Sequence, residues 1–233
     1  TEVVVPVRAE THDLEAMAKR ITPRTKIVYV CNPNNPTGTY VDAQALQDFL
    51  TAIPEGVLVV LDEAYVEYVD TSDFPDAIAL LQQGWPVATM RTFSKIYGLA
   101  GLRVGYIIAP RPVIALLNRV KEPFNVNLLA QQAAIAALAD EEHVARSREV
   151  NSLGKRQLYE AFDQMGLEYC STQSNFVFVD IGRPSRPVYE ALLRAGVIVR
   201  AGDIFDRPHC LRVTVGTEEQ NNRFLEALRR ALG

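Results

Sequence analysis

The sequence predicts an α/β fold: a mostly parallel sheet flanked by helices over residues 1–150, then a small α+β unit over residues 151–233. Three observations predict it. Short β-rich runs alternate with helical periods as far as Ala109, the pattern of strand–helix–strand units. Val57–Leu61 is an unbroken apolar run, the mark of a strand covered on both faces. Beyond Gly166, which stops a long helical period, short strands and helices resume in a different order.

The elements follow in turn. Val3–Val7 is expected as a strand, and Leu14, Met17, Ala18 and Ile21 then keep helical spacing. Lys26–Val30 is a second strand, running into the loop Cys31–Gly38. Asp42 is a good N-cap for a helix that carries Leu46, Phe49, Leu50 and Ile53 on one face. Strands are expected at Val57–Leu61, Val87–Met90 and Val104–Ala109, and helices at Val113–Val120, Asn127–Ala139 and Glu141–Met165. The last part reads as strand Phe176–Ile181, helix Pro187–Ala195 closed by Gly196, strands Val197–Arg200 and Leu211–Val215, and helix Glu218–Leu232. The long helix is the expected hinge between the two parts.

Composition narrows the function. With 28 acidic against 24 basic residues the net charge is −4, so there is no basic field to draw a nucleic acid. A 48% hydrophobic content spread along the chain excludes a disordered one. No apolar stretch approaches the ~20 residues of a membrane span, and no signal peptide opens the chain. Cys31, Cys170 and Cys210 are odd in number and lack C-x-x-C spacing, while His12, His143 and His209 lack metal-ligand spacing. A cytoplasmic protein without disulfides or a metal is expected. Thr1 is not an initiator, and Val3–Val7 reads as a strand already under way, so an N-terminal part of a longer protein is expected before it.

Four features stand at predicted strand ends or in the loops after them, where open α/β sheets bind ligands. The first is Asn32-Pro33-Asn34-Asn35-Pro36-Thr37-Gly38, a rigid loop whose amides can donate, or simply a turn before a helix. The second is Asp62-Glu63-Ala64-Tyr65, in which a carboxylate and a phenol can converge on one ligand, or stand apart as strand-end acid and surface tyrosine. The third is Thr92-Phe93-Ser94-Lys95, continuing through Gly98 and Gly101 to Arg103. A lysine in surroundings poor in charge is a candidate nucleophile, since desolvation favours the neutral amine, though a solvated lysine fits the same residues. Thr92, Ser94 and Arg103 make an anion clamp without Walker or G-x-G-x-x-G spacing. The fourth is Leu211-Arg212-Val213-Thr214-Val215-Gly216, with Arg200 at the end of the preceding strand. Arginines in such strands meet an anion or an acidic partner.

In this order, N-P-N-N-P-T-G, D-E-A-Y, T-F-S-K-x-Y-G-L-A-G-L-R and L-R-V-T-V-G resemble the pyridoxal-phosphate-dependent aminotransferases of fold type I. Within them the chain is most similar to the histidinol-phosphate aminotransferase subfamily, over essentially its whole length. The resemblance implies residues 1–150 as an N-terminally incomplete cofactor-binding domain and residues 151–233 as the small domain. It implies Lys95 as the lysine that forms the Schiff base and then carries the proton, and Asp62 as the partner of the pyridine nitrogen. Asn35 and Tyr65 are implied at the cofactor's phenolic oxygen, Thr92, Ser94 and Arg103 at its phosphate. Arg212, with Arg200 as second candidate, is implied at the substrate's carboxylate or phosphate.

The implied reaction is ping-pong amino transfer between histidinol phosphate or glutamate and a 2-oxo acceptor, in a homodimer. An aromatic (phenylalanine) aminotransferase, a decarboxylase or lyase on the same cofactor, and an inactive truncated fragment are the alternatives. In this family the segment before Thr1 would complete the cofactor pocket.

Overall fold

A computed structural model describes residues 1–233. Contacts divide it into two compact units, Thr1–Asn34 with Tyr40–Val144 and Asn35–Thr39 with Ala145–Gly233. The division expected at residue 150 thus falls earlier, inside the long helix, and the end of the Asn-Pro loop groups with the second unit.

The first unit is built on four strands, β1 (Ile27–Cys31), β2 (Leu58–Asp62), β3 (Val87–Thr92) and β4 (Gly105–Ile108), in that spatial order. β1, β2 and β3 run parallel, and β4 is antiparallel to β3. The expected strands are therefore present, shifted by about a residue. The link from β3 to β4 holds only the short 3-10 helix Ala100–Leu102 and not the α-helix of a parallel crossover, and β4 returns antiparallel. Helix α1 (Leu14–Lys19) is capped by Asp13, α2 (Ala43–Ala52) by Asp42 and α3 (Ala77–Gln82) by Asp76, each side chain accepting a first-turn N–H. The apolar faces of α1 and α2 meet one side of the sheet in a core of Leu14, Val28, Val30, Leu46, Phe49, Leu50, Val59 and Leu61. Helices α4 (Arg111–Val120) and α5 (Leu128–Ala139) follow, and Ala130 and Ala134 of α5 pack with Phe93 and Val104.

Val3–Val7 is not a strand. Val3 and Val4 are exposed, no strand offers them a ladder, and the only pairing nearby is the isolated bridge of Arg8 with Thr11. A β-rich composition does not make a strand without a partner for its backbone groups.

Helix α6 (Glu141–Gln164) leads from one unit into the other, and Gly166 follows its end at φ +65°. In the second unit β5 (Glu168–Cys170), β6 (Phe176–Asp180), β7 (Arg200–Ala201) and β8 (Cys210–Thr214) form an antiparallel sheet in the order β5-β6-β8-β7. Helices α7 (Ser185–Arg194) and α8 (Glu218–Leu232) cover it, with a core of Phe162, Val177, Val179, Leu192, Leu211, Phe224 and Leu228. The strand expected at Val197–Arg200 pairs only at its last residue, because the ladder with β8 begins at Arg200. No helix is long and apolar enough to cross a membrane.

His12 carries a pH response. Its Nε2 is buried with no hydrogen-bond partner. Burial lowers its pKa, and the Cys31 backbone and Asn34 side chain only partly offset this. The folded state therefore holds His12 neutral below the pH, about 6.5, at which the unfolded chain protonates it. Its contribution is present above that pH and is lost as the pH falls further. Melting temperatures between about pH 5.5 and 7.5 should decline less steeply on acidification in His12→Phe than in the wild type; equal slopes would remove His12 as the cause.

Candidate active site

The strand ends of the first unit carry the first constellation. Asp62 is the last residue of β2, half-buried. Its Oδ1 accepts the Ala64 N–H at 3.1 Å, and its Oδ2 accepts the hydroxyl of Tyr29 from the middle of β1. Tyr65 follows, buried, and Lys95 Nζ lies 5.1 Å from the centroid of its ring. Sequence reasoning placed Tyr65 here for its hydroxyl; the structure adds that its ring face receives the lysine, a favourable cation–π placement.

Lys95 sits in the turn after β3. Phe93 and Ile96 on either side are buried, Phe93 N donates to Val104 O at 3.1 Å, and Gly98 N donates to Lys95 O at 2.9 Å. The lysine is thus carried by a turn anchored through its neighbours. Thr92 Oγ1 accepts the Ser94 N–H at 3.0 Å and closes the same turn. Arg103 stands in the left-handed region at φ +54°, and its Nη1 donates to Ala100 O at 2.6 Å. A non-glycine residue there is uncommon and directs the side chain back over the turn. Asp62, Ala64, Met90, Arg91, Thr92, Ser94, Lys95, Ala100 and Arg103 line one cavity of about 390 Å³. Asp62, Thr92, Ser94, Lys95 and Arg103 thus line the same cavity.

Beneath this cavity is a buried ion pair that sequence reasoning missed. Glu63, 1% exposed, accepts Thr89 Oγ1 at 2.7 Å, Arg91 Nε at 2.9 Å and Arg91 Nη2 at 2.8 Å through its Oε2. Burial pushes the Glu63 carboxyl up, against the pull of Thr89 and Arg91. The pair ties the end of β2 to the end of β3. Asn32 is the other missed anchor: its Nδ2 donates to Val41 O at 3.1 Å and its Oδ1 accepts Val41 N at 2.9 Å, clasping the base of the Asn-Pro loop. Each residue stands inside a motif, but its partner lies on another segment, so no local spacing shows the pairing.

The second constellation lies in the second unit. Arg212 Nη1 donates to Asn35 Oδ1 at 2.5 Å, and its guanidinium lies 5.0 Å from the ring centroid of Phe176 and 5.7 Å from that of Phe205. Arg200 is its direct partner in the β7–β8 ladder. Two like charges opposite one another destabilise an antiparallel pair, and an anion between them reverses that term. Asn35, bonded through its carbonyl, keeps two amide N–H donors. Its loop is held by Gly38, whose carbonyl accepts Gln173 N at 2.8 Å and Thr172 Oγ1 at 3.4 Å. A Cβ at position 38 would lie 1.9 Å from Thr172 Oγ1, and φ there is +76°. Only glycine fits.

The donor set of the first unit suits a flat, phosphorylated, aldehyde-bearing pyridine. Two hydroxyls and a guanidinium form an anion site, a primary amine stands over an aromatic ring, and a carboxylate lies across the cavity.

Comparison with known proteins gives the same direction. The family model described as aminotransferase class I and II matches residues 1–228. A histidinol-phosphate aminotransferase of Moorella thermoacetica is 59% identical over 231 residues, 99% of this chain and 60% of that protein. One from Caldicellulosiruptor saccharolyticus is 46% identical over 99% of this chain and 64% of its own length. Among solved structures, histidinol-phosphate aminotransferase from Sinorhizobium meliloti in complex with pyridoxal-5'-phosphate superposes with a TM-score of 0.89 at 29% identity, over 99% of this chain and 64% of that one. Aspartate aminotransferase from Thermus thermophilus with maleate gives 0.82 at 26%, over 95% and 60%. The chain thus spans about three fifths of the length of the curated relatives it matches. Its fold is that of these fold type I enzymes, and the chain belongs to the class I and II aminotransferase family.

Proposed function

We propose that the protein carrying this chain is a pyridoxal-phosphate-dependent aminotransferase that moves an amino group between histidinol phosphate, or glutamate, and a 2-oxo acid. The observation that carries the reading is the cavity in which Lys95, Asp62, Thr92, Ser94 and Arg103 converge. When bound, pyridoxal phosphate supplies an aldehyde for covalent attachment and a ring that accepts electrons. Asp62 would hold a proton on the ring nitrogen. Lys95 would supply the amine for covalent attachment and, when free, would move a proton at the substrate Cα as base and acid. Tyr65 and Asn35 would donate to the phenolic oxygen. Thr92 and Ser94 hydroxyls and the Arg103 guanidinium would hold the phosphate. Arg212, with Arg200 opposite it, takes the carboxylate of one substrate and the phosphate of the other.

Histidinol phosphate is preferred as substrate because curated relatives 46–59% identical to the chain bear that name. The first unit acts as the cofactor domain and the second as the small domain in this reading. The protein works as a homodimer in the cytoplasm, where its free thiols stay reduced.

The test uses the full-length protein. Borohydride reduction with pyridoxal phosphate, then peptide mapping, is expected to place one adduct on Lys95. Histidinol phosphate should then outperform phenylalanine in kcat/KM with 2-oxoglutarate as acceptor. A preference for phenylalanine would reassign the substrate, carbon dioxide or ammonia released without an acceptor would reassign the reaction to a lyase, and scattered adducts would remove the reading altogether.

A further inference from the structure

The carboxylate of Asp62 is engaged from two sides, and one of its partners belongs to no motif. Tyr29 lies in β1, in register with Val60, while Cys31 is in register with Asp62 itself. Side chains two residues apart on a strand share a face, so Ile27, Tyr29 and Cys31 line the same side of the sheet as Leu58, Val60 and Asp62. This is the open side: Tyr29 is 49% exposed, whereas Val30 on the opposite face is 0%. From that position the phenol reaches diagonally over the ladder and donates to Asp62 Oδ2.

Partial burial, then the hydrogen bond and the charge of Asp62, raise the pKa of Tyr29 well above the usual tyrosine value. The hydroxyl therefore keeps its proton, and remains a donor, throughout the neutral range. An ionised carboxylate offers about four lone-pair sites. Ala64 N–H and Tyr29 O–H occupy one on each oxygen, which leaves one site on each for a further donor. Tyr29 is thus a support to a third partner of Asp62 and not its competitor.

We propose that Tyr29 is a positioning residue for the cofactor: by holding Oδ2 it fixes the plane of the Asp62 carboxylate, so that a remaining lone pair faces the ring nitrogen before the cofactor arrives. The inference rests on the role of Asp62 proposed above. Without the phenol the carboxylate keeps the Ala64 N–H alone and can rotate about its Cβ–Cγ bond. Ordering it then becomes part of the cost of binding.

The experiment measures pyridoxal phosphate dissociation constants on apo forms of the full-length enzyme: wild type, Tyr29→Phe, Asp62→Asn and the double variant. Phenylalanine keeps the ring and removes only the hydroxyl, so the apo melting temperature of Tyr29→Phe should match the wild type. Its dissociation constant should rise roughly ten-fold or more, the size expected for one hydrogen bond to a charged group. Because Tyr29 acts through Asp62, the double variant should bind no more weakly than Asp62→Asn alone. A role in packing would instead make the two effects add. Wild-type affinity in Tyr29→Phe, or additive losses, would overturn the inference while leaving Asp62 in place. A wild type that takes up no cofactor at Lys95 would overturn the reading of the site and this inference with it.

Discussion

Lys95→Ala in the full-length enzyme is expected to lose about 10⁴-fold or more in kcat and to give no borohydride-stable adduct with pyridoxal phosphate. The size follows from the two tasks of one amine, covalent attachment of the cofactor and proton transfer at the substrate. The fold should not suffer. Lys95 is half-buried, and its turn is anchored by Phe93 and Ile96 and by backbone bonds that alanine leaves untouched. Its contact with the Tyr65 ring contributes about 0.5–1 kcal/mol at such a site, so the melting temperature should shift by only a few degrees. Lys95→Arg sharpens the test, since a guanidinium keeps the charge over Tyr65 but stays protonated and makes no covalent link. Either variant retaining a tenth of wild-type turnover would show that another group does the chemistry.

Glu63→Ala should destabilise the protein by about 3–5 kcal/mol, although Glu63 does not line the cavity. The substitution takes the carboxylate from the Arg91 guanidinium, whose side chain is only 19% exposed and which keeps only the Tyr106 hydroxyl as a named partner, and leaves the Thr89 hydroxyl without its acceptor. A loss of that size lowers the melting temperature by roughly 10 °C in a chain of this length. The control separates charge from packing. Removing both charges with apolar residues of similar volume, Glu63→Leu with Arg91→Met, should cost less than Glu63→Ala alone, because no unpaired ion is left inside. A single variant that melts within about 2 °C of the wild type would mean that water reaches the pair and that it contributes little.

Periodicity and capping carried most of the fold into the sequence. Val57–Leu61 announced β2, Asp42 announced the start of α2, and Gly166 the end of α6, because each signal is local: an apolar run, a side-chain acceptor, a backbone that must turn left-handed. What the sequence hid was either too short or too distant. Strand β5 has three residues and α3 has six, and neither completes a period that stands out. Val3–Val7 misled because propensity is local while a ladder needs a neighbour.

The candidate site divides in the same way. The turn bearing Lys95 was readable from residues 92–103, and Asp62 and Tyr65 from one tetrapeptide. The hydroxyl that Tyr29 offers Asp62 and the grip of Glu63 on Arg91 depend on the register of β1, β2 and β3, and register is set by pairing between segments. The pairing of Arg200 with Arg212 belongs to the same class.

The contact between Gly38 and Thr172 couples two positions 134 residues apart, and the coupling runs one way. Trimming Thr172 would open space above the loop, but it would not admit a side chain at 38, where φ of +76° costs any L-residue about 1–2 kcal/mol whatever stands opposite. Position 172, by contrast, owes its freedom to carry a β-branched residue to the missing Cβ at 38. The dependence is therefore ordered: the glycine is required by its own backbone, and a β-branched residue at 172 is possible only because of it. The same order binds an engineer: residues at 172 can be varied around a fixed Gly38, and no change at 172 earns variation in return.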